Sequence, residues 1–328
     1  SQERDLPFAL NIVCRMLEQI NERSGSIREH GEAALALLGD EKNRTARYQA
    51  AEEHLNDVMP EHSPGMCLVP QIMSNDADSF LHTVEKLKIY GYEEVNLNLG
   101  CPSKTVVSKG RGAGFLSDPE KLDCFLNEIY EKCDVKISIK TRIGKDDPEE
   151  FVRLLEIYNQ YPVKELIIHP RVQQDFYKNH PNLDVFRDAV KESKIPLCYN
   201  GDIFSEQDNE KIKREFPQVD TFMLGRGILM SPALLQTIRM KENGQVENEV
   251  IEQDLRGKVA GFLEQIKLDY LEVGMGEKNT LFKLKELWAY MGMNCPEAKK
   301  ELKRIKKAQN LREYESASRE ALKDFILF

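Results

Sequence analysis

Six short apolar runs, each ending in polar residues and each followed by an amphipathic helical segment, divide the chain between Met66 and Leu235. They recur about every 30 residues, the size of one βα unit. The runs are Met66–Met73, Glu94–Leu99, Val135–Arg142, Glu165–His169, Ile195–Asn200 and Val219–Leu224. Short apolar runs between helical segments are the signature of parallel strands covered on both faces. Helix starts lie between them. Ser117-Asp118-Pro119-Glu120 and Asp147-Pro148-Glu149-Glu150 each place a cap before a proline in the first turn. This succession predicts an α/β fold with a parallel sheet, most simply a TIM (β/α)8-type barrel. An open doubly wound sheet is the alternative, but no GxGxxG follows an early strand.

The two ends of the chain read differently. Residues 1–65 form an atypical, mostly helical segment. Ser26 with Glu29 makes a capping box, Ala33 to Leu38 is a helix run that Gly39 can end, and Lys42 to Val58 is also helical. Only Phe8–Cys14 reads as a strand, and it equally opens a helix running to Ile20. A complete barrel needs two strands from this region, so the barrel is expected over 66–245 and incomplete or rearranged at its first strands. From 246 to 328 the strands stop, and Val250–Leu271, Lys278–Met291, Pro296–Gln309 and Arg312–Phe325 predict an all-helical domain.

Composition limits the partners. No run approaches the roughly 20 apolar residues that span a bilayer, and no basic segment precedes an apolar one at the start of the chain. Neither a membrane location nor secretion is expected. The seven cysteines, at 14, 67, 101, 124, 133, 198 and 295, are dispersed without CxxC spacing. That pattern argues against disulfides and zinc, and for the cytoplasm. The net charge of −9 argues against a generally basic nucleic-acid binder. Yet Lys278 to Arg312 carries ten Lys/Arg against three Asp/Glu, a local +7. Within it, Leu302 and Ile305 are placed to face a core while Lys299, Lys303, Lys306 and Lys307 face outward, as phosphate contacts would require. No apolar seam calls for a dimer, so a monomer is expected.

The polar residues at the strand ends form a set. Gln71 follows Val69-Pro70; Asn96 and Asn98 share a face, as do Lys140 and Arg142. Cys101 stands between Gly100 and Pro102, where a strand must stop. His169 with Arg171, Asn200-Gly201-Asp202 and Gly225-Arg226-Gly227 end the later runs. In a barrel all these ends converge on one rim. Gly201, Gly225 and Gly227 offer N–H groups where this fold grips phosphate, Arg226 adds charge, and Lys140 and His169 can hydrogen-bond an electron-rich ring. Asp202 can equally cap its own loop. No His/Asp/Glu cluster has metal spacing and no GxSxG is present. A phosphorylated cofactor with a polar ring fits better than a metal.

NLNLGCPSKTVVSKGRGAGFLSDPEKL, ISIKTRIG, LIIHPRVQQDFY, YNGDIFS and MLGRGILMSPALL resemble the FMN-dependent tRNA-dihydrouridine synthases from about Asn56 to the C-terminus. LFKLKELWAYM and the lysine-rich helix extend the likeness into the helical domain. The resemblance implies tightly bound FMN held by Gln71, Lys140, His169, Asn200, Gly201, Gly225 and Arg226, with Asp202 beside them. It implies that NADPH reduces the flavin, that hydride passes to C6 of a tRNA uridine, and that Cys101 is the general acid at C5. Asn98 would hold the uracil, with Arg142, Arg171 and Tyr177 near the nucleotide. The target base must leave its stack to enter such a pocket. The likeness departs at the front. The Ala-Pro-Met segment and second strand usual in the family have no counterpart in residues 1–55. This leaves two alternatives: a catalytically impaired tRNA-binding protein on the same scaffold, and a flavin-dependent reductase of a small pyrimidine.

Overall fold

The computed structural model describes residue 60 and residues 67–244, 249–272 and 274–326. The expected helices and the candidate strand Phe8–Cys14 of the N-terminal segment lie outside the described residues. The described chain contains two compact units by its contacts. One comprises residues 67–201 and 215–223, the other 202–214, 224–244, 249–272 and 274–326. Residues 202–214 and 224–244 thus group with the C-terminal helices, although the sequence reading placed them in the barrel domain.

The first unit carries six strands: β1 Gln71–Ile72, β2 Glu94–Leu99, β3 Lys136–Arg142, β4 Leu166–His169, β5 Leu197–Tyr199 and β6 Thr221–Phe222. They form one sheet in the order β1-β2-β3-β4-β5-β6, and every neighbouring pair is parallel. Helices follow every strand. They are α1 Ala77–Lys88, α2 Lys104–Val107, α3 Pro119–Lys132, α4 Glu150–Tyr158, α5 Leu183–Glu192, α6 Glu206–Glu215 and α7 Arg226–Met230. This is the βα succession of a TIM-type barrel. The strands near the prolines are shorter than the apolar runs suggest. Pro70 and Pro196 cannot donate to a ladder and stand just before the strands, where their carbonyls accept from Asn96 and Leu166 at 2.8 and 2.9 Å.

Register sorts the side chains. Gln71 lies beside Asn96, Asn98 beside Lys140, Lys140 beside Ile167, Arg142 beside His169, and Ile167 beside Cys198. Alternation then puts Gln71, Asn96, Asn98, Ser138, Lys140, Arg142, His169, Cys198 and Asn200 on one face. Val95, Leu97, Leu99, Ile137, Ile139, Leu166, Ile168 and Tyr199 take the other, and all are buried. Against that face, Phe125 packs edge-on to Phe80 and Phe115, and Phe186 edge-on to Tyr199 and Phe216. Each fully buried apolar side chain of this size contributes about 1.5–3 kcal/mol.

Helix starts follow their capping residues. Asp76, Asp118 and Asn182 each accept from the N–H three residues on, opening α1, α3 and α5. The second proline start is corrected: α4 begins at Glu150, two residues after Pro148. The carboxylate of Glu150 gathers the N–H groups of Lys145, Asp146 and Asp147, so Asp147-Pro148 is a turn closed from within the helix.

The second unit, which holds α7 and residues 206–214 of α6, adds α8 Leu234–Glu242, α9 Glu249–Glu272, α10 Glu277–Met291, α11 Lys299–Lys307 and α12 Leu311–Ala321. Leu255, Val259, Phe262, Leu284, Leu287, Trp288, Ile305 and Tyr314 share its core, where Trp288 Nε1 donates to the Tyr314 hydroxyl at 3.0 Å. No described helix is long and apolar enough to cross a membrane.

Candidate active site

The carboxyl ends of β1–β5 carry a polar layer, hydrogen-bonded into a ladder across β1–β3. Asn96 Nδ2 donates to Ser138 Oγ at 3.0 Å, Gln71 Nε2 to Asn96 Oδ1 at 2.7 Å, and Asn98 Nδ2 to Gln71 Oε1 at 2.7 Å. Asn98 Oδ1 then accepts the main-chain N–H groups of both Gly100 and Cys101, each at 3.0 Å. The ladder therefore runs from the middle of β3 to the residue expected to act as acid. Asn96 and Asn98 are 5% and 4% exposed, and such buried amides are stable only when paired this way. Asn98 is thus an anchor for the Cys101 turn as well as a polar group at the rim.

The turn is held from every side. Ala113 N–H donates to the Cys101 carbonyl at 3.0 Å. Arg142 Nε donates to the Gly100 carbonyl at 2.9 Å, and Gln173 Nε2 to the Pro102 carbonyl at 2.8 Å. Cys101 itself is buried. Gly112 closes over it with φ +54°, and a Cβ there would lie 2.9 Å from both the Cys101 Cβ and carbonyl oxygen. The glycine-rich segment that follows the cysteine in the sequence therefore serves to pack it.

On β3, Lys140 is half-buried and its ammonium has no hydrogen bond or ion pair among the described residues. Burial, reinforced by the neighbouring Arg142 cation, lowers its pKa to about 8. Arg142 is fully buried, and burial lowers its pKa to about 10. Besides Gly100, it donates to the carbonyls of Val172 at 2.8 Å and Phe176 at 2.9 Å. The structure thus brings Arg142 to the site but spends its donors on main chain. Arg171, also buried, donates to Asn179 O at 2.5 Å and to His169 Nε2 at 2.9 Å. A guanidinium only donates, so His169 Nε2 accepts and the ring carries its proton on Nδ1. Tyr177 is 44% exposed and stacks over His169, ring centroids 6.0 Å apart, with the Arg142 guanidinium 5.6 Å from its ring. Phe176, whose carbonyl Arg142 holds, has φ 49°, the one non-glycine residue among those described with positive φ. Such a conformation costs about 1–3 kcal/mol and marks a loop fixed by its surroundings.

At the far end of the layer, Asn200 Nδ2 donates to Met223 O at 2.8 Å. Gly201 has no room for a side chain, since a Cβ would fall 2.0 Å from the Tyr199 hydroxyl. The second unit holds the remaining expected residues. Gly225 caps α7, and Arg226 Nη2 bonds Asp202 Oδ1 at 2.6 Å while its guanidinium lies 5.2 Å from the Phe204 ring. Asp202 therefore orients Arg226. On α11, Lys299, Lys303, Lys306 and Lys307 are exposed and form no ion pair among the described residues, while Ile305 is buried and Leu302 half-buried. That helix is three residues shorter at its start than Pro296–Gln309 suggests, because residues 296–297 form a turn.

The sequence reading missed Ser138, Gly112 and Gln173. Ser138 was open to detection, two residues before Lys140 on the same face. Gln173 was not, because its position depends on how an irregular loop folds back.

The profile of the family described as Dihydrouridine synthase (Dus) matches residues 33–326. The tRNA-dihydrouridine synthase B of Vibrio parahaemolyticus is 30% identical over 223 residues, 66% of this chain and 66% of that protein. That of Pasteurella multocida is 28% identical over 198 residues, 60% of this chain and 59% of its own. The tRNA-dihydrouridine(16) synthase of Escherichia coli K12 is 31% identical over 160 residues, 48% of this chain and 50% of that one. The chain thus spans less than two thirds of the length of these curated relatives.

Proposed function

Because the chain belongs to the dihydrouridine synthase family, we propose that it reduces uridines in tRNA to dihydrouridine, with FMN as cofactor and NADPH as reductant. The observation that carries this reading is the Cys101 turn beside Lys140, Asn98 and His169 on one rim of the parallel sheet.

The residues present fit a flavin. Lys140 is a half-buried cation with no partner among the described residues, which suits an electron-rich ring edge. Gln71, Asn200 and the Gly201 N–H add neutral donors on the same sheet; within the second unit, the Arg226 guanidinium, held by Asp202, is suited to an anion. When bound, FMN supplies two-electron reduction of the uracil C5–C6 double bond. The protein's part is orientation and proton delivery. Cys101 gives the proton to C5, its place set by Asn98, Arg142 and Ala113. Tyr177, exposed and stacked on His169, offers a surface for the unstacked base. The exposed lysines of α11 meet tRNA phosphates. The two alternatives are disfavoured by different residues: an impaired binder has no use for Lys140, and a small-pyrimidine reductase none for Lys299, Lys303, Lys306 and Lys307.

Purified protein is expected to carry flavin absorbance and, given NADPH, to raise dihydrouridine in tRNA lacking it. Reduction of free uracil at a rate equal to that of tRNA would favour the small-pyrimidine reading instead.

A further inference from the structure

The segment Gly100-Cys101-Pro102 has five polar main-chain groups, since proline has no N–H. Two N–H groups go to Asn98 Oδ1, the Gly100 carbonyl to Arg142, and the Cys101 carbonyl to Ala113. The fifth, the Pro102 carbonyl, accepts from Gln173 Nε2 at 2.8 Å, a contact spanning 71 residues of sequence. Gln173 is itself 7% exposed, and its main-chain N–H donates to Gly144 O at 3.0 Å. It therefore sits where the loops after β3 and β4 meet the Cys101 turn. The same loop carries Val172 and Phe176, whose carbonyls Arg142 holds while also holding Gly100. Two side chains thus tie one loop to the peptides on both sides of the cysteine.

We propose that Gln173 is a positioning residue for Cys101: by holding the Pro102 carbonyl, it fixes where the thiol points and makes the turn and the Tyr177 loop move as one body. The role rests on the reading of Cys101 as proton donor. It does not require Gln173 to touch substrate. Removing the amide leaves a buried carbonyl unpaired, and the turn can relieve that only by shifting toward water. A shift of about 1 Å at a proton donor slows turnover by roughly 100-fold while leaving remote binding intact.

Two substitutions separate positioning from mere packing. Gln173→Met keeps length and volume but cannot donate; Gln173→Lys keeps a donor. Iodoacetamide labelling is followed by mass spectrometry on the Cys101 peptide, with exposed Cys124 as internal reference. Alongside it, kcat and KM are measured for tRNA reduction. Gln173→Met is expected to raise Cys101 labelling several-fold and to lower kcat about 10- to 100-fold with KM for tRNA unchanged. Gln173→Lys is expected to restore both toward wild type. Wild-type labelling and kcat in Gln173→Met would overturn the proposal, as would equal losses in both variants, which would mark a packing role. A wild-type chain that forms no dihydrouridine would sink the functional reading alone, because the labelling comparison still decides the placement of Cys101.

Discussion

Arg142 Nε donates to the carbonyl oxygen of Gly100 at 2.9 Å, so a buried cation on β3 grips the peptide directly before Cys101. Its other two nitrogens hold Val172 and Phe176, making one guanidinium the junction of two loops.

Arg142→Met is therefore expected to destabilise the protein rather than only weaken substrate binding. Each bond to a charged donor contributes about 1.5–3 kcal/mol, partly offset by relief of burying the charge, for a net loss of about 2–4 kcal/mol. Thermal unfolding should show a midpoint roughly 5–15 °C lower. Arg142→Lys should not rescue it, because an ammonium cannot serve three diverging acceptors. An unchanged midpoint would contradict the clamp.

Gly112→Ala tests the packing over the cysteine. The new Cβ meets Cys101 at 2.9 Å on a φ of +54°, so a loss of about 1–3 kcal/mol is expected in urea unfolding, with a disproportionate fall in turnover. Gly257→Ala is the control. It lies within α9 with nothing within 4 Å of the added Cβ, and should stabilise by about 0.5–1 kcal/mol.

How far the sequence reveals this site depends on periodicity. Asn96 with Asn98, and Lys140 with Arg142, are two apart on strands, so their common face is readable without coordinates. The strand Glu94–Leu99 is found at its predicted bounds, and the long helices of the second unit nearly so. What a side chain does on that face is another matter. Arg142 looks like a substrate cation until the irregular loop after β4 folds back and presents two carbonyls to it, beside that of Gly100 after β2. Asp202 likewise looks like a cofactor contact until Arg226 is placed against it. Both depend on loop paths, which neither propensity nor period encodes.

Lys140 gives the site a pH dependence. Its pKa is lowered to about 8 by burial, so its ammonium is lost as pH rises through that value. Flavin affinity is expected to weaken above about pH 8, while Lys140→Met binds weakly at every pH; fluorescence titration from acid to alkaline pH reads both. Without flavin the sign reverses. The folded-state pKa lies below the unfolded value of 10.5, so the charge costs stability below pH 8 and the cost fades toward pH 10.5. Apo Lys140→Met should therefore melt higher than wild type at neutral pH, with the gap closing in alkali. A gap that widened with pH would contradict an unpaired buried charge.

The exposed lysines of α11 set a salt dependence. Replacing Lys299, Lys303, Lys306 and Lys307 with Gln should weaken tRNA binding and reduce the slope of log affinity against log salt by about 3, near 0.7–0.9 per phosphate. An unchanged slope would mark this face as merely solvated.

The most direct test compares wild type with Cys101→Ala on tRNA lacking dihydrouridine, with NADPH supplied and product counted by nucleoside mass spectrometry. Both proteins should show the same flavin absorbance, with wild type forming dihydrouridine and the variant slowed about 100- to 10,000-fold, as loss of a general acid predicts. Product at the wild-type rate from Cys101→Ala, or a wild type with neither flavin nor product, would contradict the account.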